Sequence, residues 1–309
     1  MQLWLLVTLV MSVDLIVRGT AREDERPVVH TEGGKIAGFM EKSTKGNEFY
    51  SFHSIPYAKP PVGSLRLKDP VDSEGWKGVR DGSVLPPCCS QIPFFKVVKR
   101  KPVYDGDEDC LYLSVFTSKP GEPDAQLPVM VFIHGGGFMA GGISLYSPYV
   151  LLNEDVVLVL IQYRLGVLGF LSTEDSVIPG NFGLKDQIFA LRWIQRNIHH
   201  FGGDSDRVTI FGESAGGASV HFHILSPYST GLFARAIMQS GTLFCPWAMG
   251  GAYKQVAQYT GKLFACSSSS SSSDDMLDLS SDDLLRCLQN VDVQNLTLSL
   301  MDHVVNTLE

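Results

Sequence analysis

The residues Gly212-Glu213-Ser214-Ala215-Gly216 directly follow the apolar run Arg207-Val208-Thr209-Ile210-Phe211. A serine flanked by two glycines, placed between a strand and a helix, is typical of a nucleophile elbow. The sharp turn strains the serine backbone, and the glycines let the two chain segments pass closely. The turn raises the Ser214 hydroxyl clear of the sheet, and the first N–H groups of the following helix point toward that hydroxyl. The pattern predicts that Ser214 is a nucleophile.

A second glycine motif, His134-Gly135-Gly136-Gly137-Phe138, follows another apolar run, Val129–Ile133. Consecutive glycines leave backbone N–H groups unshielded and free to turn toward a developing oxyanion. We expect the N–H groups of Gly136, Gly137 and Ala215 to form an oxyanion hole. A plain glycine loop is the alternative interpretation, and the elbow downstream makes it the weaker one.

The composition is that of an ordinary soluble globular protein. Of the 309 residues 44% are hydrophobic, and 25 basic against 33 acidic side chains give a formal charge of −8. The sequence contains no basic run of the kind that binds nucleic acid, so we expect no nucleic-acid partner. No segment approaches the length of a membrane span, so we expect none.

The chain alternates between strand and helix patterns. Val156–Ile161 is apolar at every position, as in a strand inside a parallel sheet. Leu184–Ile198 carries apolar residues at helical spacing and should cover one face of that sheet. Further expected elements are a hairpin over 28–39, strands over 50–55, 111–117 and 236–239, and the elbow helix over 215–225. This order predicts an α/β fold with a central, mostly parallel sheet and helices on both faces.

Residues 1–21 have the features of a secretory signal peptide. Leu3–Val13 is apolar but too short to span a membrane, and Gly19 and Ala21 have the spacing that signal peptidase reads. The alternative is a packed N-terminal helix, since the sequence has no basic residue before the apolar run. We expect cleavage after Ala21, a mature chain of residues 22–309 and an extracellular location.

Several ordered blocks resemble the type-B carboxylesterase and cholinesterase family, which has the α/β-hydrolase fold. These blocks are Ile55–Gly63, Glu108–Val115, Gln162–Gly166, Gly180–Gln187 and Phe201–Gly216. The residues around Ser240–Thr242 and Cys245–Ala248 are similar to the arthropod esterases, whereas Ser118 departs from the family pattern. The resemblance runs from about residue 30 to the end. It implies hydrolysis of small carboxylic esters through an acyl-enzyme on Ser214, with no cofactor and no metal.

Six cysteines agree with an oxidising compartment, although their spacing alone leaves many pairings open. The resemblance implies a Cys89–Cys110 disulfide, because Cys89 lies in the Cys-x-Gln context that precedes the family's Glu-Asp-Cys-Leu block. It implies a second loop after the nucleophile, which Cys266 and Cys287 would close. Cys88 and Cys245 have no assigned partner.

Two further features lie near the end of the sequence. Asn295-Leu296-Thr297 is a sequon for an N-linked glycan in a secreted protein. Ser267–Ser273 is a polar homopolymer that cannot bury enough surface to order itself, so we expect a flexible insert over 267–273.

The resemblance also implies roles for charged residues. Arg66 with Glu108, and Arg164 with Asp186, match buried structural ion pairs of the family. Glu213 is expected to be a buried hydrogen-bonding residue.

One position bears on the substrate. Cholinesterases of the family hold a quaternary ammonium group on a tryptophan about ten residues before the Cys-Leu-Tyr block. Arg100 occupies that region, and no tryptophan lies between Trp76 and Trp193. A choline ester is therefore not the expected substrate.

A serine nucleophile needs a histidine base that an acid orients, and in this fold both follow the serine along the chain. The family places them beyond the distance that separates Ser214 from Glu309. His221 and His223 lie ~10 Å or more along the elbow helix, at a rise of ~1.5 Å per residue. The other histidines are His30, His53, His134, His199, His200 and His303. None is expected to be the base, so the sequence resembles the N-terminal part of a catalytic domain, truncated after the nucleophile half.

The alternative function is that of a non-catalytic, esterase-like secreted or adhesion protein. Such relatives commonly lose the nucleophile. This sequence keeps Ser214 and the complete glycine loop, which favours the enzyme.

Overall fold

The computed structural model describes residues 26–93, 97–98, 101–266 and 279–306. The expected signal peptide, the serine tract and Arg100 lie outside these residues. The strands are β1 Val28–Thr31, β2 Gly34–Ala37, β3 Phe39–Lys42, β4 Glu48–Pro56, β5 Val79–Asp81, β6 Val97–Val98, β7 Lys101–Pro102, β8 Tyr112–Thr117, β9 Leu127–Ile133, β10 Val157–Ile161, β11 Gly203–Glu213 and β12 Arg235–Gln239. The helices are α1 Gly166–Phe170, α2 Phe182–Asn197, α3 Ala215–Leu225, α4 Tyr253–Leu263, α5 Ser281–Leu288 and α6 Val293–Asn306.

Seven strands form the main sheet, in the order β12-β11-β9-β10-β8-β4-β3. The pairs from β12 to β10 are parallel, and the pairs from β10 to β3 are antiparallel. The α/β class is confirmed, but the sheet is mixed rather than mostly parallel. The connection explains one of the three antiparallel pairs, since only residues 43–47 join β3 to β4, which is too short for the crossover that parallel pairing needs.

The two faces of the sheet are covered differently. On one face, alternate strand residues such as Val131, Val159 and Ile210 pack with residues of α2 and α3. On the other face, the intervening residues pack with Ile143 and Leu152, which belong to short 3-10 turns. Among the described residues, therefore, the expected helices cover one face only. The segment between β9 and β10 is rich in glycine, which disfavours a helix there.

The helices that frame the elbow agree closely with the pattern in the sequence. α3 has the predicted bounds, and α2 begins at Phe182, two residues before the apolar periodicity becomes visible. Asn181 precedes α2 with a φ of 55°, a left-handed conformation that asparagine tolerates better than most residues. All residues of β10 are buried, as its continuous apolar pattern indicated.

Two disulfides tie peripheral segments to this framework. Cys89 is bonded to Cys110 and Cys266 to Cys287, with Cα–Cα distances of 5.0 Å and 5.7 Å. These are the pairings that the family resemblance implied. The thiols of Cys88 and Cys245 are not in disulfides and are half-buried.

The two expected ion pairs are also buried. Arg164 forms a two-pronged pair with Asp186, at 2.8 Å and 2.7 Å. Arg66 pairs with Glu108 in the same way, at 2.7 Å and 2.5 Å. Its remaining Nη1 donates to the carbonyl of Leu288 at the end of α5. In the part of the chain that the structure describes, no helix has both the length and the apolarity to cross a lipid bilayer.

Candidate active site

The site lies where the strand order of the sheet changes direction. From β9 the chain passes to β10 on one side, and it later returns to β11 on the other side of β9. A crevice at the carboxyl ends of parallel strands forms at such a switch point. Ile133 ends β9 and Glu213 ends β11, so the glycine loop and Ser214 leave the sheet as neighbours.

Ser214 has a strained backbone, with φ 55° and ψ −119°. Its N–H donates to the carbonyl oxygen of Gln239 at 2.8 Å, which fixes the turn against β12. A β-carbon on Gly216 would lie 1.9 Å from the carbonyl oxygen of Ile133, and one on Gly241 would lie 2.0 Å from that of Ser214. Only glycine fits at these positions, so the backbone has the geometry of a nucleophile elbow.

The glycine loop is in direct contact with the elbow. A β-carbon on Gly135 would lie 3.1 Å from the Ser214 Cβ and 2.5 Å from the carbonyl oxygen of Glu213. Gly136 and Gly137 have φ values of 110° and 60°, which glycine adopts without cost. Two motifs that are far apart in the sequence are thus adjacent in space.

Three backbone donors at this point have no protein acceptor. Within the described residues, no hydrogen bond is formed by the N–H of Gly136, Gly137 or Ala215. Ala215 is the first residue of α3, so its N–H has no acceptor within the helix and lies at the positive end of the helix dipole. The Ser214 hydroxyl is partly exposed and forms no hydrogen bond with a described residue. The arrangement leaves the Ser214 hydroxyl and three backbone donors available to a ligand.

Glu213 differs from expectation, because its side chain is exposed rather than buried. Its strand β11 pairs on that side with β12, which is the outer strand of the described sheet. The glycine loop borders its carboxylate, since a β-carbon on Gly135 would lie 2.9 Å from Glu213 Oε2.

The described histidines near the site have structural roles. The His134 ring stacks on Tyr163 at 4.4 Å, and its Nδ1 lies 2.9 Å from the carbonyl oxygen of Gly135. His223 Nε2 lies 2.7 Å from Gln187 Oε1 in a buried contact. Burial lowers the pKa of each imidazole to about 4, so both rings are neutral near pH 7. His221 packs edge-on against Phe244, with ring centroids 5.4 Å apart.

A cavity of about 680 Å³ opens beside Gly137. Its apolar wall includes Phe138, Phe222 and Trp247, and none of its lining side chains is charged. The cavity was not predictable from the sequence, because its wall combines the glycine loop with residues 247–256, and no pattern in the sequence shows that these two segments meet. In the part of the chain that the structure describes, no group of three or more His, Cys, Asp or Glu side chains is placed to hold a metal ion.

Sequence reasoning also missed Tyr163 as a support of the site. Its hydroxyl donates to the carbonyl oxygen of His134 at 2.8 Å, and its ring stacks on the His134 imidazole. Tyr163 lies in the block Gln162–Gly166 that carries the family resemblance, but a block does not show which atoms its residues contact.

Comparison with known proteins agrees with this geometry. The sequence profile of the carboxylesterase family matches residues 25–307. The chain is 48% identical over 256 residues to Esterase FE4 of Myzus persicae, which covers 82% of this chain and 45% of that protein. It is 45% identical over 274 residues to Juvenile hormone esterase of Tribolium castaneum, and the match covers 87% of this chain and 45% of that protein. It is 43% identical over 285 residues to Acylcarnitine hydrolase of Mus musculus, and the match covers 88% of this chain and 48% of that protein.

The chain spans about half the length of the curated relatives that it matches. The match includes both the glycine loop and the elbow, which lie well inside residues 25–307. The mixed sheet with its strand–elbow–helix unit is the architecture of the α/β-hydrolase fold. The chain belongs to the carboxylesterase family.

Proposed function

We propose that this chain provides the nucleophile and the oxyanion hole of a serine carboxylic-ester hydrolase. The observation that carries the proposal is the strained Ser214 beside three N–H groups without a protein acceptor. Ser214 Oγ attacks the acyl carbon of the ester. The N–H groups of Gly136, Gly137 and Ala215 donate to the oxyanion that forms. The alcohol leaves, and water then releases the acid from the acyl-enzyme.

The attack on the ester requires a base that accepts the Ser214 proton. None of the described histidines hydrogen-bonds to Ser214, so we assign the base to none of them. The oxyanion hole and substrate binding alone accelerate such reactions by far less than a full triad. We therefore expect slow ester hydrolysis from the 309-residue polypeptide assayed by itself.

The test is the dependence of turnover on Ser214. We expect Ser214→Ala to remove the hydrolysis of a 1-naphthyl ester and the labelling by a fluorophosphonate probe. Ser144→Ala is the matched control, because Ser144 is exposed and lies outside the site. Hydrolysis that persists unchanged in Ser214→Ala would rule out this nucleophile.

We propose that the substrates are uncharged esters with an apolar acyl or alcohol group. The cavity beside Gly137 supports this, because its walls are mostly apolar and carry no charged side chain. The relatives' names refer to compounds as different as juvenile hormone and acylcarnitine, so a particular ester is not assigned. Faster hydrolysis of a naphthyl ester than of acetylthiocholine is the expected result. Equal or faster turnover of acetylthiocholine would contradict it.

We propose an extracellular location, supported by the two disulfides, which persist in oxidising compartments. Asn295 is exposed on α6, where it can carry the glycan that the sequon predicts. Expression in insect cells should give a secreted chain that begins after Ala21. A shift in mobility after glycosidase treatment should be lost in Asn295→Gln.

A further inference from the structure

We propose that Gln91 is a positioning residue that holds the oxyanion loop from outside the active site. The inference rests on the proposed function, since it concerns the donors Gly136 and Gly137. It adds a residue that touches neither the substrate nor Ser214. Its effect is transmitted through Gly141, at the far end of the loop.

The Gln91 side chain is buried and makes three hydrogen bonds with its amide group. Its Nε2 donates to the carbonyl oxygens of Cys89, at 2.9 Å, and Gly141, at 2.7 Å. Its Oε1 accepts from the N–H of Gly141 at 2.9 Å. Gly141 is therefore held at both its donor and its acceptor by one amide, which fixes its orientation as well as its position.

The backbone of Gln91 is itself immobilised. Its N–H and carbonyl pair with those of Asp105 at 2.9 Å and 3.0 Å, as in a short antiparallel ladder. Two residues before it, Cys89 is joined to Cys110, which lies two residues before the start of β8. The amide of Gln91 is thus fixed to the main sheet through the disulfide, not through the glycine loop that it holds.

Gly141 transmits this restraint because the loop closes tightly on itself. A β-carbon on Gly141 would lie 2.5 Å both from the carbonyl oxygen of Gly135 and from His134 Nδ1. The carbonyl of Gly136 accepts from the N–H of Ala140 at 3.0 Å. Gly141 is therefore packed closely against Gly135, and its neighbour Ala140 is bonded to Gly136, so a shift of Gly141 is passed on to both residues.

Small displacements of these donors matter for catalysis. An oxyanion hole works only when its N–H groups already point to where the charge develops, and loose support weakens it. Binding of the ester in the cavity depends mainly on other contacts, because most of the lining residues, from Gly166 to Val256, lie outside this loop. Release of the loop should therefore lower kcat with little change in KM.

The experiment compares Gln91→Met with Gln195→Met. The first variant keeps the length of the side chain and removes its three hydrogen bonds. Gln195 is a matched control, since its Nε2 also donates to two carbonyls, those of Ser205 and Leu232, which lie away from the loop. Hydrogen–deuterium exchange of the segment 134–142 and Ser214-dependent turnover of a naphthyl ester are measured in both variants.

We expect about tenfold faster exchange of segment 134–142 in Gln91→Met, and a kcat about tenfold lower with KM within about twofold. Gln195→Met should leave both unchanged. Unchanged exchange in Gln91→Met, or a loss seen in KM alone, would overturn the proposal. If the parent protein shows no Ser214-dependent turnover, the proposed function fails, and the exchange measurement still decides whether Gln91 holds the loop.

Discussion

The conformation of Ser214 depends on glycines. At each of these positions a close backbone contact leaves no room for a side chain. Gly216 lies against the end of β9, and Gly241 lies against Ser214 itself. The strained φ of Ser214 persists because three separate segments meet around it. Strain of this kind is stored only where the surrounding packing over-determines the backbone.

We expect Gly216→Ala to destabilise the fold by about 2–4 kcal/mol, because its β-carbon would lie 1.9 Å from the carbonyl oxygen of Ile133. Gly251→Ala is the control, since a β-carbon there meets open space. Urea unfolding followed by fluorescence measures the free energy of unfolding of both variants. Equal stability of the two would show that the elbow is more adaptable than its geometry indicates.

Two buried imidazoles make stability depend on pH. The pKa of His134 and of His223 is about 4 in the fold, against an ordinary value of 6.5. Between these values the unfolded chain binds protons that the folded chain does not. The free energy of unfolding should therefore fall as pH drops from about 6.5 toward 4, by about 1.4 kcal/mol per pH unit for each histidine.

The measurement is a series of urea titrations between pH 7.5 and 4.5. His223→Gln keeps a donor near Gln187 and removes the titrating group, so we expect a shallower pH dependence in this variant. An unchanged slope in His223→Gln would show that other groups cause the loss of stability at acid pH.

At the scale of elements, Arg66 joins parts of the chain that the sequence keeps far apart. It pairs with Glu108 before β8, and it donates to the carbonyls of Leu288, the last residue of α5, and of Val291, three residues further on. The last carbonyls of a helix have no partner within it, so a buried donor satisfies them. One guanidinium thus connects the end of α5 to the segment that leads into β8 of the main sheet.

We expect Arg66→Met to cost about 3–5 kcal/mol of stability, because it leaves the Glu108 carboxylate buried without a partner. Adding Glu108→Gln should recover part of this loss, since a neutral amide is less costly to bury. Chemical denaturation of the two single variants and the double variant gives the coupling energy. A double variant that is less stable than Arg66→Met would argue against an uncompensated charge as the cause.

The sequence was informative where a local pattern and the fold require the same residues. The start of α3 follows from the elbow glycines, and the burial of β10 follows from its unbroken apolar run. The antiparallel half of the sheet and the 3-10 turns after β9 were not predictable, because strand partners are chosen by contacts across the whole chain. For the same reason, neither the cavity nor the contact of Gln91 with Gly141 could be deduced from spacing.

At the scale of the whole molecule, the described sheet has an uncovered edge at β12. β12 pairs with β11 on one side, and no described strand pairs with it on the other. Ile237 is 45% exposed and its neighbour Met238 is 41% exposed. Successive side chains of a strand point to opposite faces, so both faces of β12 are partly uncovered. An apolar edge with unpaired N–H and C=O groups promotes pairing between molecules.

We expect the 309-residue polypeptide expressed by itself to associate through β12, so its elution volume in size-exclusion chromatography should fall as its concentration rises. Ile237→Lys places a charge on this edge and should shift the protein toward the monomer, because a buried lysine opposes strand pairing between copies. Val84→Lys is the control, since Val84 is 62% exposed but lies outside the main sheet. Association that is reduced equally by both lysines would point to a general effect of charge. A monomer at every concentration would show that the β12 edge is protected in a way that the described residues do not reveal.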